Sequence, residues 1–109
     1  MASLIRYSIS PPADKNRILF SNPDNLEGGK DGEKPGTHRA RKNLSVKLSY
    51  DEGRTWPVNK VLEKGSSAYS DLAVLTDGTI LCFYESDRML VLARFNLDWL
   101  TDGKDSLAK

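Results

Sequence analysis

Leu44, Val46, Leu48 and Tyr50 alternate with Ser45, Lys47 and Ser49, the period-2 pattern of a strand with one buried face. Near the start, Ile5, Tyr7 and Ile9 alternate with Leu4, Arg6 and Ser8 in the same way. Two short unbroken apolar runs, Ile80-Leu81-Cys82-Phe83-Tyr84 and Met89-Leu90-Val91-Leu92-Ala93, have the length of strands buried on both faces. Periodicity alone leaves a buried helix open for such runs. Thr76-Asp77-Gly78-Thr79 lies between two apolar runs, and Asp-Gly at its centre signals a hairpin. The pattern predicts seven strands, near residues 2–9, 16–21, 42–50, 57–62, 69–75, 79–85 and 89–95. The fold class is all-β.

Residues 22–42 interrupt this pattern with Gly28, Gly29, Gly32, Gly36, Pro23, Pro35 and mixed charges. Such a stretch buries too little apolar surface to offset its ordering entropy and reads as a long solvated loop, centred on 24–38. A domain linker is the alternative, but each flanking half is too small to hold a core alone. Arg17-Ile18-Leu19-Phe20 is echoed by Thr79-Ile80-Leu81-Cys82-Phe83 about 62 positions later. Antiparallel strands recurring in such units suit propeller blades. At roughly 45 residues per blade the chain holds about two, fewer than the four or so that close a ring. The expectation is one blade over about 1–62, most of the next over 63–109, and a chain that is part of a larger domain.

Composition removes functions rather than proposing one. Of 109 residues, 39% are hydrophobic and 28% charged, which is ordinary globular material. Sixteen basic and fifteen acidic side chains leave a net charge of +1, against a nucleic-acid binder. No apolar run approaches a membrane span, and no secretory signal is visible, so the compartment is not legible. The single cysteine, Cys82, rules out an intrachain disulfide and reads as a small core residue. With one histidine, His38, and no ligand spacing, neither a metal nor another cofactor is expected. Glu52, Arg54, Asp102, Lys104 and Asp105 read as ordinary solvated groups.

Ser49-Tyr50-Asp51-Glu52-Gly53-Arg54-Thr55-Trp56 fits Ser-x-Asp-x-Gly-x-Thr-Trp, the Asp-box. Its chemistry is that of a turn. Ser49 and Asp51 can bind backbone N–H groups, Gly53 permits positive φ, and Trp56 can plug the apolar layer below. The flanking Arg41-Lys42-Asn43-Leu44-Ser45-Val46-Lys47-Leu48 and Pro57-Val58 resemble the exo-α-sialidases, or neuraminidases. So do Ser67-Ala68-Tyr69-Ser70-Asp71-Leu72, Phe83-Tyr84-Glu85, Leu19-Phe20-Ser21-Asn22-Pro23 and, as in bacterial members, Arg94-Phe95-Asn96-Leu97-Asp98-Trp99-Leu100. The resemblance covers nearly the whole chain except 24–38, and matches the C-terminal part of the sialidase domain.

That resemblance implies two four-stranded antiparallel blades of a six-bladed propeller, with the Asp-box on the outer face, away from the active site. It implies a retaining hydrolase of terminal sialic acids, and sialic acid-containing glycans as partners. Sialic acid carries a carboxylate on its anomeric carbon, so the family uses a tyrosine nucleophile where other glycosidases use a carboxylate. By position Tyr69 matches that nucleophile. Arg41 matches the third of three arginines that grip the substrate carboxylate, a task suited to the guanidinium fork. Arg39 is the competing assignment, disfavoured because an uninterrupted strand fixes the distance from Arg41 to the box. Glu85 matches the glutamate that holds the first of those arginines. Ser49, Asp51, Gly53, Thr55 and Trp56 are structural.

The first two arginines, the activating glutamate and the acid/base aspartate have no match here, since in family order they precede these residues. The isolated chain is therefore expected to be inactive, in a parent enzyme that is secreted or periplasmic. The alternative is a non-catalytic Asp-box propeller fragment that binds a partner or self-assembles through its open blade edges.

Overall fold

Seven strands form where the alternation places them: β1 (Ser3–Ser8), β2 (Arg17–Pro23), β3 (Lys42–Ser49), β4 (Val58–Ser66), β5 (Ser70–Val74), β6 (Ile80–Ser86) and β7 (Met89–Phe95). The computed structural model describes residues 2–25 and 41–107, so the expectations for His38, Arg39 and most of the 24–38 loop lie outside the described residues. All pairing is antiparallel, in a four-stranded sheet β1-β2-β3-β4 and a three-stranded sheet β5-β6-β7. The second sheet has one strand fewer than a full blade. A short helix, α1 (Leu97–Leu100), follows β7; four residues are too few to leave a 3.6-residue period in the sequence. It starts because the Asn96 side chain accepts the Trp99 N–H at 2.9 Å.

The inner faces of the two sheets pack together. Leu19, Leu44, Val46 and Leu48 of the first meet Leu72, Ile80, Cys82 and Tyr84 of the second, and Leu97 and Leu100 of α1 close the layer. Register explains the sorting: Leu19 stands opposite Leu48, and Leu72 opposite Cys82. Each fully buried leucine contributes about 1.5–3 kcal/mol of transfer free energy. The expectation that β6 and β7 are buried on both faces is overturned: only one face packs on the other sheet, and on the outer face Phe83, Leu90 and Leu92 are about half or more exposed.

A second expectation is overturned. Asp105 is not solvated but buried, because the segment after α1 folds back onto the start of β2. There Arg17, fully buried, donates from Nε and Nη2 to the two Asp105 carboxylate oxygens, each at 2.8 Å. The Tyr50 hydroxyl adds a third bond to Asp105 at 2.7 Å, and Asp14 takes a further arginine hydrogen bond at 3.1 Å. Glu52 is likewise engaged, accepting a forked pair of hydrogen bonds from Arg6. Asp102 accepts from Lys60.

The Asp-box turn closes on its own side chains. The Ser49 hydroxyl donates to Asp51 Oδ1 at 2.8 Å and accepts the Gly53 N–H at 2.9 Å. Asp51 accepts the Thr55 hydroxyl at 2.6 Å and its N–H at 2.8 Å. Gly53 sits at φ +88°, a conformation costly for a residue with a Cβ. Trp56 packs on Phe20, ring centres 5.7 Å apart. The Thr55 hydroxyl, then its N–H, pull the Asp51 carboxyl down to about 2. A depressed folded-state pKa gives stability that is complete above the ordinary aspartate range and lost as pH falls through the folded value. The melting temperature should therefore fall between about pH 4 and pH 2. In Asp51→Asn it should be lower at neutral pH and fall less steeply on acidification. Parallel pH profiles for the two proteins would remove Asp51 from this account.

Among the described residues no helix is long and apolar enough to cross a membrane. No group of three His, Cys, Asp or Glu side chains there could hold a metal ion.

Candidate functional site

The structure separates the four tyrosines by what their hydroxyls already do. Tyr7 donates to the Gly78 carbonyl at 2.9 Å. Tyr50 is committed to Asp105, and burial followed by that hydrogen bond pushes its phenol up to about 12. Tyr84 lies in the core, and burial raises its pKa. Only Tyr69 is 58% exposed and, among the described residues, without a side-chain hydrogen bond. It is the one tyrosine free to meet a ligand.

Tyr69 owes this position to strand geometry. It immediately precedes β5 and lies against the end of β6, where the Glu85 N–H donates to the Tyr69 carbonyl at 3.1 Å. The Ala68 N–H donates to the Glu85 carbonyl at 3.0 Å, which fixes this pairing from both sides. Alternation puts Asp71, Phe83, Glu85 and Leu90 on the outer face of the sheet, where with Tyr69 they line a cleft of about 170 Å³. That is smaller than the roughly 300–1,000 Å³ of a complete ligand pocket. The cleft is a shelf open on one side.

Arg41 reaches the same end of the molecule from the other sheet. It stands one residue ahead of β3, exposed, and its carbonyl accepts the Ser67 N–H at 2.8 Å, two residues before Tyr69. No ion pair engages its guanidinium among the described residues. The Glu85 carboxylate is likewise exposed and unpaired there. One backbone hydrogen-bond chain thus joins the stretches carrying Arg41, Tyr69 and Glu85. The Asp-box lies at the opposite end of β3, about 25 Å away at the rise of a strand, so Asp51 and Trp56 stand apart from the cleft.

Asp71, Phe83 and Leu90 also line the cleft, though sequence reasoning gives none of them a site role. Asp71 shares the face of Tyr69, as the two-residue spacing alone signals, and accepts from Ser3 at 3.3 Å. Leu90 arrives through the β6–β7 hairpin, opposite Glu85, and has no local signature. Beneath the site, Ser67 Oγ is buried without a hydrogen-bond partner among the described residues. A larger cleft lies elsewhere, about 630 Å³ between β4, β7 and α1, lined by Arg94, Phe95, Asn96 and Trp99 and holding none of the candidates.

No family model matches the chain. A sialidase of Micromonospora viridifaciens is 37% identical to it over 102 residues, covering 91% of this chain and 14% of that protein. A sialidase of Vibrio cholerae serotype O1 is 34% identical over 86 residues, 79% of this chain and 10% of that protein. Among solved structures, Hadza microbial sialidase Hz136 superposes with a TM-score of 0.70 at 30% identity, covering 92% of this chain and 18% of that one. The chain thus spans under a fifth of the length of each of these proteins.

Proposed function

Because the chain belongs to the sialidase family as part of its domain, we propose that it carries the nucleophile side of a sialic acid site. In this reading the Arg41 guanidinium grips the substrate carboxylate, Tyr69 attacks the anomeric carbon, and Glu85 orients a further arginine supplied by the rest of such a domain. Attack by a neutral phenol avoids the like-charge repulsion that an Asp or Glu nucleophile would meet beside the substrate carboxylate. The phenol proton passes to a base and the departing aglycone oxygen takes a proton from an acid, both supplied by the rest of such a domain. The sugar is left on the Tyr69 oxygen until water displaces it by the reverse proton transfers, so configuration is retained.

The observation that carries this reading is the backbone chain joining Arg41, Ser67, Tyr69 and Glu85 at the strand ends away from the Asp-box. Three chemically apt side chains there are exposed and, among the described residues, uncommitted. A scaffold has no need of that convergence. Among the described residues nothing hydrogen-bonds the Tyr69 hydroxyl to an activating carboxylate, which favours binding without turnover for the 109 residues by themselves.

Titration with sialyllactose, followed by backbone amide NMR, tests the assignment. The amides of Tyr69 and Glu85 should shift, and Arg41→Ala should weaken binding about tenfold or more, the scale of one charge-assisted hydrogen bond. Equal affinity of the Arg41→Ala variant, or shifts confined to the 630 Å³ cleft, would place the sugar elsewhere.

A further inference from the structure

The turn that joins β6 to β7 is built from the wrong residues for its conformation. It is a two-residue hairpin loop between Ser86 and Met89, and both central residues lie in the left-handed region, Asp87 at φ 48° and Arg88 at φ 68°. Such turns strongly prefer Asn-Gly or Asp-Gly, because glycine meets no Cβ penalty there. Aspartate tolerates the first position. Arginine at the second costs on the order of 1–2 kcal/mol relative to an unstrained backbone.

The cost falls beside the cleft. Glu85 and Leu90, which pair across this hairpin, form one wall of the shelf that holds Tyr69. Arg88 stands two strand positions beyond Leu90, roughly 7 Å farther along the sheet. Its side chain is exposed and, although Glu85 and Asp87 are close in sequence, no ion pair engages it among the described residues. An exposed cation thus stands at the hairpin tip, two strand positions from the Leu90 wall of the shelf, with no ion pair among the described residues.

We propose that Arg88 is a specificity residue at the rim of the Tyr69 cleft, contacting a second anionic group on the leaving part of the glycan. The proposal rests on the sialoside reading above and names its preferred substrate class: chains in which the residue after the terminal sialic acid also carries a negative charge. The guanidinium fork suits a carboxylate or sulfate there. Its exposure sets the scale of the preference at about two- to fivefold, the range of an exposed ion pair. It should fade at high salt.

The test compares α2,3-sialyllactose with α2,8-disialyllactose, titrated against the 109-residue chain and two variants. Arg88→Gln removes the charge and keeps the turn's strain; Arg88→Gly removes both. The wild-type chain should prefer the disialylated probe, and both variants should lose that preference while binding sialyllactose as before. Arg88→Gly should also raise the melting temperature by a few degrees, whereas Arg88→Gln should leave it nearly unchanged. If wild type and both variants bind the two probes with the same ratio, Arg88 reads no second charge and the proposal fails while the sialoside site stands. If the wild-type chain binds neither probe, the sialoside reading itself fails and this proposal with it.

Discussion

Asp105→Ala should lower the unfolding free energy by about 3–5 kcal/mol, the usual result of stranding one partner of a buried ion pair. In a chain of this size that is a large share of the 5–15 kcal/mol typical of folded domains. The reason lies in what the substitution leaves behind. Arg17 has no solvent exposure, and Asp105 takes two of its hydrogen bonds as well as one from Tyr50. Burial alone would push the Asp105 carboxyl up; the Arg17 and Tyr50 hydrogen bonds and the arginine charge outweigh it and hold the group below its ordinary value. Without the carboxylate, Arg17 keeps Asp14 and Ser8, both at 3.1 Å. That partial rescue sets the lower end of the range. Urea denaturation should show a lower midpoint with an unchanged slope. Joint replacement Arg17→Met with Asp105→Leu should recover much of the loss, since no buried charge is then unpaired. An unchanged midpoint for Asp105→Ala would mean that the segment after α1 does not anchor the sheets.

The 109-residue chain by itself should hydrolyse a fluorogenic sialoside at least about 10⁴-fold more slowly than a complete sialidase. General acid–base assistance is worth about 10²–10⁴-fold, and among the described residues no group is hydrogen-bonded to the Tyr69 hydroxyl to supply it. One guanidinium in place of several also leaves the substrate loosely positioned, which costs further rate. In a complete domain carrying this segment, Tyr69→Phe should remove retaining turnover while leaving the melting temperature within about 1 °C, because the hydroxyl makes no hydrogen bond among the described residues. Product release by the chain alone, abolished by Tyr69→Phe, would overturn the inactivity and show that the missing groups come from residues not assigned here.

Local chemistry alone determines much of this protein. The Leu44-Val46-Leu48 alternation fixed β3 and its buried face, and Asp77-Gly78 fixed a hairpin, because both are properties of a few adjacent residues. The Asp-box turn was legible for the same reason: its hydrogen bonds span no more than four residues. The Ser-Ala-Tyr-Ser-Asp-Leu string singled out Tyr69 by likeness, though nothing local distinguishes it from Tyr50, which the fold spends on Asp105. What the fold alone decided lies between residues far apart. Asp105 looks like a tail charge until the chain after α1 carries it 88 positions back to Arg17. Leu90 becomes a wall of the cleft only once the β6–β7 hairpin closes, and the Arg41 backbone joins the stretch before Tyr69 only when Ser67 pairs with its carbonyl. Pattern along a chain records which face a side chain takes. Its partners are set by packing of whole sheets, where burial makes an unpaired charge so costly that distant residues must meet.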